Sequence, residues 1–296
     1  MPQGGQAVWR HAGDGTRIRV AWWQGSGDKT VLVFPGRTEF IEKYGEVVQT
    51  LLDRTYSVVV VDWRGQGLAD RHPTQRQMGW VQKFSDYQQD VSEVLAVVSE
   101  AGLPTPFAMI GHSMGGAIGL RALLNGLAVE KAIFSAPMWG ILVAPHLKPM
   151  ASVVSAIGPK IGFGEKVVPS GDLRNYVQMQ DFEGNLLTND PARYQTMQSH
   201  LAAEPELGLG APSIHWFAEA RRECAALRAE APARHDVLTF LGTQEGNVEA
   251  SAIHEVMGKW PNGKLVVLED AQHEVLLETD ATLERVWTEI DAHLAG

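Results

Sequence analysis

Pro106-Phe107-Ala108-Met109-Ile110-Gly111-His112-Ser113-Met114-Gly115-Gly116-Ala117-Ile118-Gly119-Leu120-Arg121-Ala122-Leu123-Leu124 passes from a short apolar run, through a glycine-rich turn, into a second apolar run. The first run, Phe107 to Ile110, reads as a buried strand, and Met114 to Asn125 reads as a helix. Between them Gly111-His112-Ser113-Met114-Gly115 fits G-x-S-x-G, with Gly116 as a further small residue. That pattern places a serine on a sharp strand-to-helix turn, where small neighbours let strand, turn and helix approach closely. A serine in an ordinary helix-capping turn is the competing reading, and the strand before it and helix after it argue against it. Ser113 is therefore the candidate nucleophile.

Working outward, strands and helices alternate. Ile18 to Trp23, Thr30 to Phe34, Ser57 to Val61 and Lys131 to Phe134 read as strands. Phe40, Ile41, Tyr44, Val47, Val48, Leu51 and Leu52 recur at helical spacing. Ser85, with Gln88 three residues on, resembles a capping box opening the next helix. From Pro137 to about Ala233 no strand is expected. Alternation resumes with a strand at Asp236 to Leu241, a helix at Ala250 to Lys259, a strand at Lys264 to Leu268 and a last amphipathic helix. The expected fold class is α/β: a mostly parallel sheet with helices on both faces and a mainly helical insertion. Residues 1–136 and 234–296 would form the core, and 137–233 a cap over the carboxyl edge of the sheet, where ligands bind in such folds.

A serine hydroxyl needs a general base. In the order nucleophile, acid, histidine, His273 is the base expected among the ten histidines, because it lies in the loop after the last strand. Glu245 is the only carboxylate in the preceding loop, Leu241 to Asn247, and is the expected acid. Glu249 is the fallback, and Asp270 is read as shaping its own turn. Two backbone N–H groups should hold an oxyanion, one from Met114 and one from Arg37 in the loop after Phe34.

With those residues in hand, the chain resembles the monoacylglycerol lipase and bacterial lysophospholipase branch of α/β-hydrolases, the serine aminopeptidase S33-like hydrolases. The likeness covers nearly the whole chain. It rests on Gly36-Arg37-Thr38-Glu39 with Tyr44, Asp62-x-Arg64-Gly65-x-Gly67, the Ser113 turn, Ser135-Ala136-Pro137-Met138 and His273-Glu274. Asn189-Asp190-Pro191-x-Arg193-Tyr194 and Pro212-Ser213-x-His215-Trp216 extend it into the insertion. The resemblance implies an α/β-hydrolase fold, a cap over the site, and hydrolysis of a single acyl ester of a lysophospholipid or monoacylglycerol through an acyl-enzyme. Three positions depart from the family pattern: Pro35 where histidine is usual, Ala69 where serine is common, and Glu245 where most relatives carry aspartate.

Composition bounds the alternatives. A net charge of −10 argues against nucleic acid as a partner. The single cysteine, Cys224, permits no intrachain disulfide and reads as an inert thiol. No cysteine or histidine cluster has metal-ligand spacing and no phosphate loop is present, so no metal and no cofactor is expected. Without a signal-like start or a long apolar run, a cytoplasmic location is expected. Met138 to Gly164 is apolar with lysines and lacks acids, so this cap segment is expected either to pack on the core or to rest on the inner face of the membrane. Trp139 and Ile141 are its expected acyl-chain contacts. Acyl transfer, a small-ester, lactone or peptide substrate, and a non-catalytic ligand-binding role on the same fold remain as alternatives.

Overall fold

Strand formation here follows side-chain alternation. In β3 (Thr30–Phe34) and β4 (Ser57–Asp62) every residue is buried, and successive residues face opposite layers. Leu32, Phe34, Val59 and Val61 join one apolar cluster, while Val31, Val33, Val58 and Val60 join another. A sheet apolar on both faces must be covered on both, and helices do this. The computed structural model describes residues 1–230 and 234–295.

Eight strands form one sheet in the order β1-β2-β4-β3-β5-β6-β7-β8. The strands besides β3 and β4 are β1 (Gln6–His11), β2 (Arg17–Trp23), β5 (Pro106–His112), β6 (Lys131–Ser135), β7 (Asp236–Gly242) and β8 (Gly263–Leu268). β1 and β2 pair antiparallel with each other, and β2 pairs antiparallel with β4. All later pairings are parallel. Outside the insertion, α1 (Gly45–Asp53) follows β3, α2 (Tyr87–Glu100) follows β4, and α3 (Met114–Leu124) follows β5. In the insertion lie α4 (Lys148–Ile157), a single turn α5 (Tyr176–Met179), α6 (Pro191–Ala203) and α7 (Ile214–Ala229), and the core closes with α8 (Ala250–Gly258) and α9 (Asp280–Ala295). Apolar residues of α2, α3, α7 and α8 pack on one sheet face, and those of α1 and α9 on the other.

Two expectations need correction. Gln6–His11 is a strand that the sequence reading omits. It lies at the sheet edge with no buried residue, so its sequence carries no apolar face to read. Ser85 does not cap α2: a short 3-10 turn, Phe84–Asp86, comes first, and the Asp86 carboxylate accepts from the Lys83 N–H at 3.0 Å. Gln88 instead donates to the Ile118 carbonyl across the α2–α3 contact.

Among the described residues the insertion holds no named strand, only isolated bridges such as Ile141 to Val248. The expected cap boundary at Ala233 lies outside the described residues. Asp62 is fully buried: it pairs with Arg19 at 2.7 Å and accepts from the N–H groups of Ile41 and Leu68. It thereby ties the loop after β3 to the Gly65–Leu68 turn.

Candidate active site

The carboxyl ends of β5, β7 and β8 converge. Ser113 leaves β5 at φ 48 and ψ −116, a left-handed backbone that a non-glycine residue holds only under constraint. The constraint is visible. The Ser113 N–H donates to the Ser135 carbonyl at 3.0 Å, and its carbonyl accepts from Gly116 and Met138. A side chain on Gly115 would run into the carbonyl of Phe34, and one on Gly116 would meet Pro137 Cβ at 2.6 Å. The glycines therefore let β3, the turn and α3 touch.

His273 bridges the other two residues. Its Nε2 lies 3.0 Å from Ser113 Oγ, and its Nδ1 lies 2.8 Å from Glu245 Oε2. The remaining oxygen of Glu245 accepts from the N–H groups of Asn247 and Val248. Burial raises the Glu245 pKa, but His273 and these N–H donors outweigh it and hold the carboxylate below its ordinary value. Glu249 faces away, 3.1 Å from Lys148. Asp270 sits at φ 57 in its own turn, held by Thr243.

The loop after β3 packs against this turn. Pro35, at the position where histidine is usual, gives its carbonyl to the Trp63 indole at 3.0 Å. The Gly36 N–H donates to the Glu39 carboxylate. Among the described residues the N–H groups of Arg37 and Met114 have no hydrogen-bond partner.

A buried ionic cluster underlies that loop. Lys43 sits between Glu39 and Glu274, with Glu274 Oε1 at 2.6 Å. Tyr44 donates to Glu39 at 2.6 Å. His112 Nδ1 faces Ser135, and its Nε2 lies 3.3 Å from Glu274 and 3.5 Å from Glu39, an ion pair without hydrogen-bond alignment. Burial opposes charge on each member. The two carboxylates nevertheless hold Lys43 and His112 above their ordinary values, and Lys43 and His112 hold Glu274 well below the carboxylate range. The two acids and two bases balance, which is how four ionisable groups remain buried. Ligand atoms of Glu39, His112 and Glu274 lie within 4.8 Å of one another, close enough for a metal, but the Lys43 ammonium already sits between the two carboxylates and pairs with both. Sequence reading quoted Glu39 and Glu274 without giving them a role and overlooked Lys43. The available signals were the i, i+4 spacing of Glu39 and Lys43 and the adjacency of Glu274 to His273.

Ser113 and His273 open into a cavity of about 550 Å³. Ile141, Val143, Leu147, Met150 and Val154 supply one apolar wall from the insertion. Trp139, expected beside Ile141, is not part of that wall. It is 0% exposed, sets its ring edge against Phe134, and donates from Nε1 to the Gly116 carbonyl at 3.3 Å. The chain turns at Gly140, so the two neighbours point to different places. Cys224 is buried, and burial pushes its thiol up to about 12, consistent with an inert residue.

The model of the family described as "Serine aminopeptidase, S33" matches residues 25–280. The chain belongs to this family. Its relatives include lysophospholipase L2 of Escherichia coli K12, 27% identical over 265 residues, covering 86% of this chain and 76% of the relative. Among solved structures, a monoglyceride lipase from Saccharomyces cerevisiae superposes with a TM-score of 0.75 at 18% identity, covering 100% of this chain and 97% of the other. A monoacylglycerol lipase from Paleococcus ferrophilus gives 0.71 at 15% identity, covering 94% and 98%. The mostly parallel sheet with helices on both faces is thus the α/β-hydrolase fold, and this S33-family chain is a hydrolase of that fold. Among the described residues no helix is long and apolar enough to cross a membrane.

Proposed function

We propose that this chain is a serine esterase that cleaves the acyl chain of a single-chain lipid ester, a lysophospholipid or monoacylglycerol, through an acyl-enzyme. The observation that carries the reading is the continuous path from Ser113 Oγ through His273 to Glu245 at 3.0 and 2.8 Å, opening into an apolar cavity. Ser113 attacks the ester carbonyl while His273 takes its proton. Glu245 keeps the imidazole in the tautomer that accepts at Nε2 and stabilises the imidazolium. The free N–H groups of Arg37 and Met114 hold the oxyanion. His273 then returns the proton to the leaving alcohol, and water repeats the sequence on the acyl-enzyme.

The lipid substrate is supported by the apolar cavity wall and by the similarity to lysophospholipase L2 and the monoacylglycerol lipases. Hydrolysis rates over lysophospholipids, monoacylglycerols and short p-nitrophenyl esters test it, with long-chain single-acyl lipids expected to be fastest. A uniform rate across chain lengths would sink the lipid reading. In the same panel, Ile141→Ala should lose more on long chains than on short esters. Trp139→Ala should lose folding stability instead, by about 3–5 kcal/mol, read as a lowered Tm with no change in chain-length preference. A preference that shifts in Trp139→Ala and not in Ile141→Ala would reverse the two assignments.

The cap also supports peripheral membrane contact. α4 has no buried residue. Leu147, Met150 and Val154 line the cavity, while Val153, Ile161 and Phe163 are 57%, 61% and 52% exposed. Lys160 and Lys166 flank this apolar surface, whereas Lys148 is engaged by Glu249. An apolar face with flanking cations suits an anionic bilayer. Sedimentation with phosphatidylglycerol vesicles should exceed that with phosphatidylcholine vesicles and fall in Val153→Glu/Phe163→Glu. Sedimentation that is absent in the wild type, or unchanged in the double variant, rejects the contact.

A further inference from the structure

The cavity that ends at Ser113 contains a cation that no carboxylate neutralises. Lys43 lies between Glu39 and Glu274, Arg174 is paired with Asp172 at 2.7 Å, and His273 is held by Glu245. Arg37 has no such partner among the described residues. Its Nη2 donates to the Gly210 carbonyl, and its guanidinium carbon lies 5.1 Å from the centre of the Trp216 ring. Its Nε is buried without any partner. Gly210 and Trp216 themselves line the cavity, so the guanidinium faces it.

Other deeply placed arginines are resolved differently. Arg19 pairs with Asp62 at 2.7 Å, and Arg64 with Asp90 at 2.8 Å. Arg71, also without a carboxylate, spends its N–H groups on the carbonyls of Gly67, Arg76, Glu206, Leu207 and Gly208. Arg19, Arg64 and Arg71 are thus satisfied, and Arg37 is not; Arg17 and Arg76, whose Nε atoms also lack a hydrogen bond, each sit beside a carboxylate, Asp70 and Glu206. Burial pushes the Arg37 pKa down to about 10, which leaves it charged at neutral pH. A desolvated cation with spare donors is costly unless an anion arrives to meet it, and the planar fork of arginine matches phosphate oxygens.

We propose that the Arg37 side chain is an anion-binding residue of the substrate cavity and receives the phosphate of a lysophospholipid whose acyl ester lies at Ser113. This rests on the serine-esterase reading above and narrows it, since a monoacylglycerol has no anion to pair with Arg37. The side chain acts on the headgroup while the backbone N–H of the same residue faces the oxyanion.

The test compares kcat/KM for lysophosphatidylglycerol and 1-monoacylglycerol of equal chain length in the wild type, Arg37→Met and Arg37→Lys. Because the backbone of residue 37 belongs to the catalytic loop, the readout is the ratio of the two substrates, not either rate alone. The ratio should fall by about tenfold or more in Arg37→Met and recover in part in Arg37→Lys. In the wild type, sn-glycerol 3-phosphate should compete against hydrolysis of a neutral short ester, which gives a reading even if a variant fails to fold. A ratio unchanged in Arg37→Met, or no competition by glycerol 3-phosphate, overturns the assignment. If the wild type cleaves both lipids but the ratio does not move, only the Arg37 site fails. If it cleaves neither, the esterase reading fails with it.

Discussion

Ser113→Ala is expected to lower ester hydrolysis by about ten-thousandfold to a millionfold and to abolish covalent labelling by a fluorophosphonate. The substitution removes one oxygen and little else. Alanine suffers the same strain at φ 48 as serine, and the backbone bonds that hold the turn, from Ser113 N–H to Ser135 and from Gly116 and Met138 to the Ser113 carbonyl, do not involve the side chain. Thermal unfolding should therefore change little while activity disappears. The residual rate would come from oxyanion binding and substrate positioning alone. Undiminished labelling of Ser113→Ala, or a wild type that never labels, would reject Ser113 as the nucleophile and revive a ligand-binding role for the fold.

Glu245→Gln should cost about ten-thousandfold in kcat, by a different route. One Glu245 oxygen accepts from the Asn247 and Val248 N–H groups, and a glutamine carbonyl can keep both bonds. Its amide NH2 then points at His273 Nδ1, 2.8 Å away, where a carboxylate oxygen now accepts. His273 would have to accept at Nδ1 and carry its hydrogen on Nε2, facing Ser113, and so could not take the serine proton. The local fold survives while the tautomer is wrong. There is also a pH consequence. The folded pKa of Glu245 is depressed, so its contribution to stability is present above the ordinary glutamate pKa and is lost as pH falls through the lower folded value. In Glu245→Gln that acid-side loss should shrink. Activity within tenfold of wild type would show that another group orients the imidazole.

The meeting of Ser113, Glu245 and His273 was legible in sequence because each sits in a loop directly after a strand that its own apolar run announces: Ser113 after β5, Glu245 after β7, His273 after β8. Strand ends are local features, and the order of nucleophile, acid and base needs no long-range contact to read. The edge strand Gln6–His11 was not legible, because an exposed strand has no apolar face. The role of Lys43 was not legible either, since it depends on Glu274, far along the chain and brought close by the sheet order. Trp139 and Ile141 differ for a local reason: two residues apart across a glycine, they look alike as apolar residues, yet one supports the α3 turn and the other faces the cavity. Arg37 was singled out for its backbone, and only the missing carboxylate partner reveals what its side chain is for.

The insertion is fastened unevenly. Leu187 accepts from the Glu274 N–H at 2.7 Å, Thr188 donates to the Leu277 carbonyl at 2.7 Å, and Asn189 bonds both Asp270 and Glu278. That stretch is tied into the loop that carries His273, so a change there is felt by the imidazole itself. Leu142 also donates to the Asn247 carbonyl at 3.2 Å, in the loop that carries Glu245, whereas α4 itself reaches the core through the Lys148–Glu249 pair. A substitution in α4 can therefore alter the cavity wall while leaving the bonds around Ser113, His273 and Glu245 in place, whereas one at Leu187 to Asn189 disturbs the loop that holds His273. The insertion is thus modular in its tolerance: its wall over the cavity can be re-cut on its own, and its seam with the His273 loop cannot.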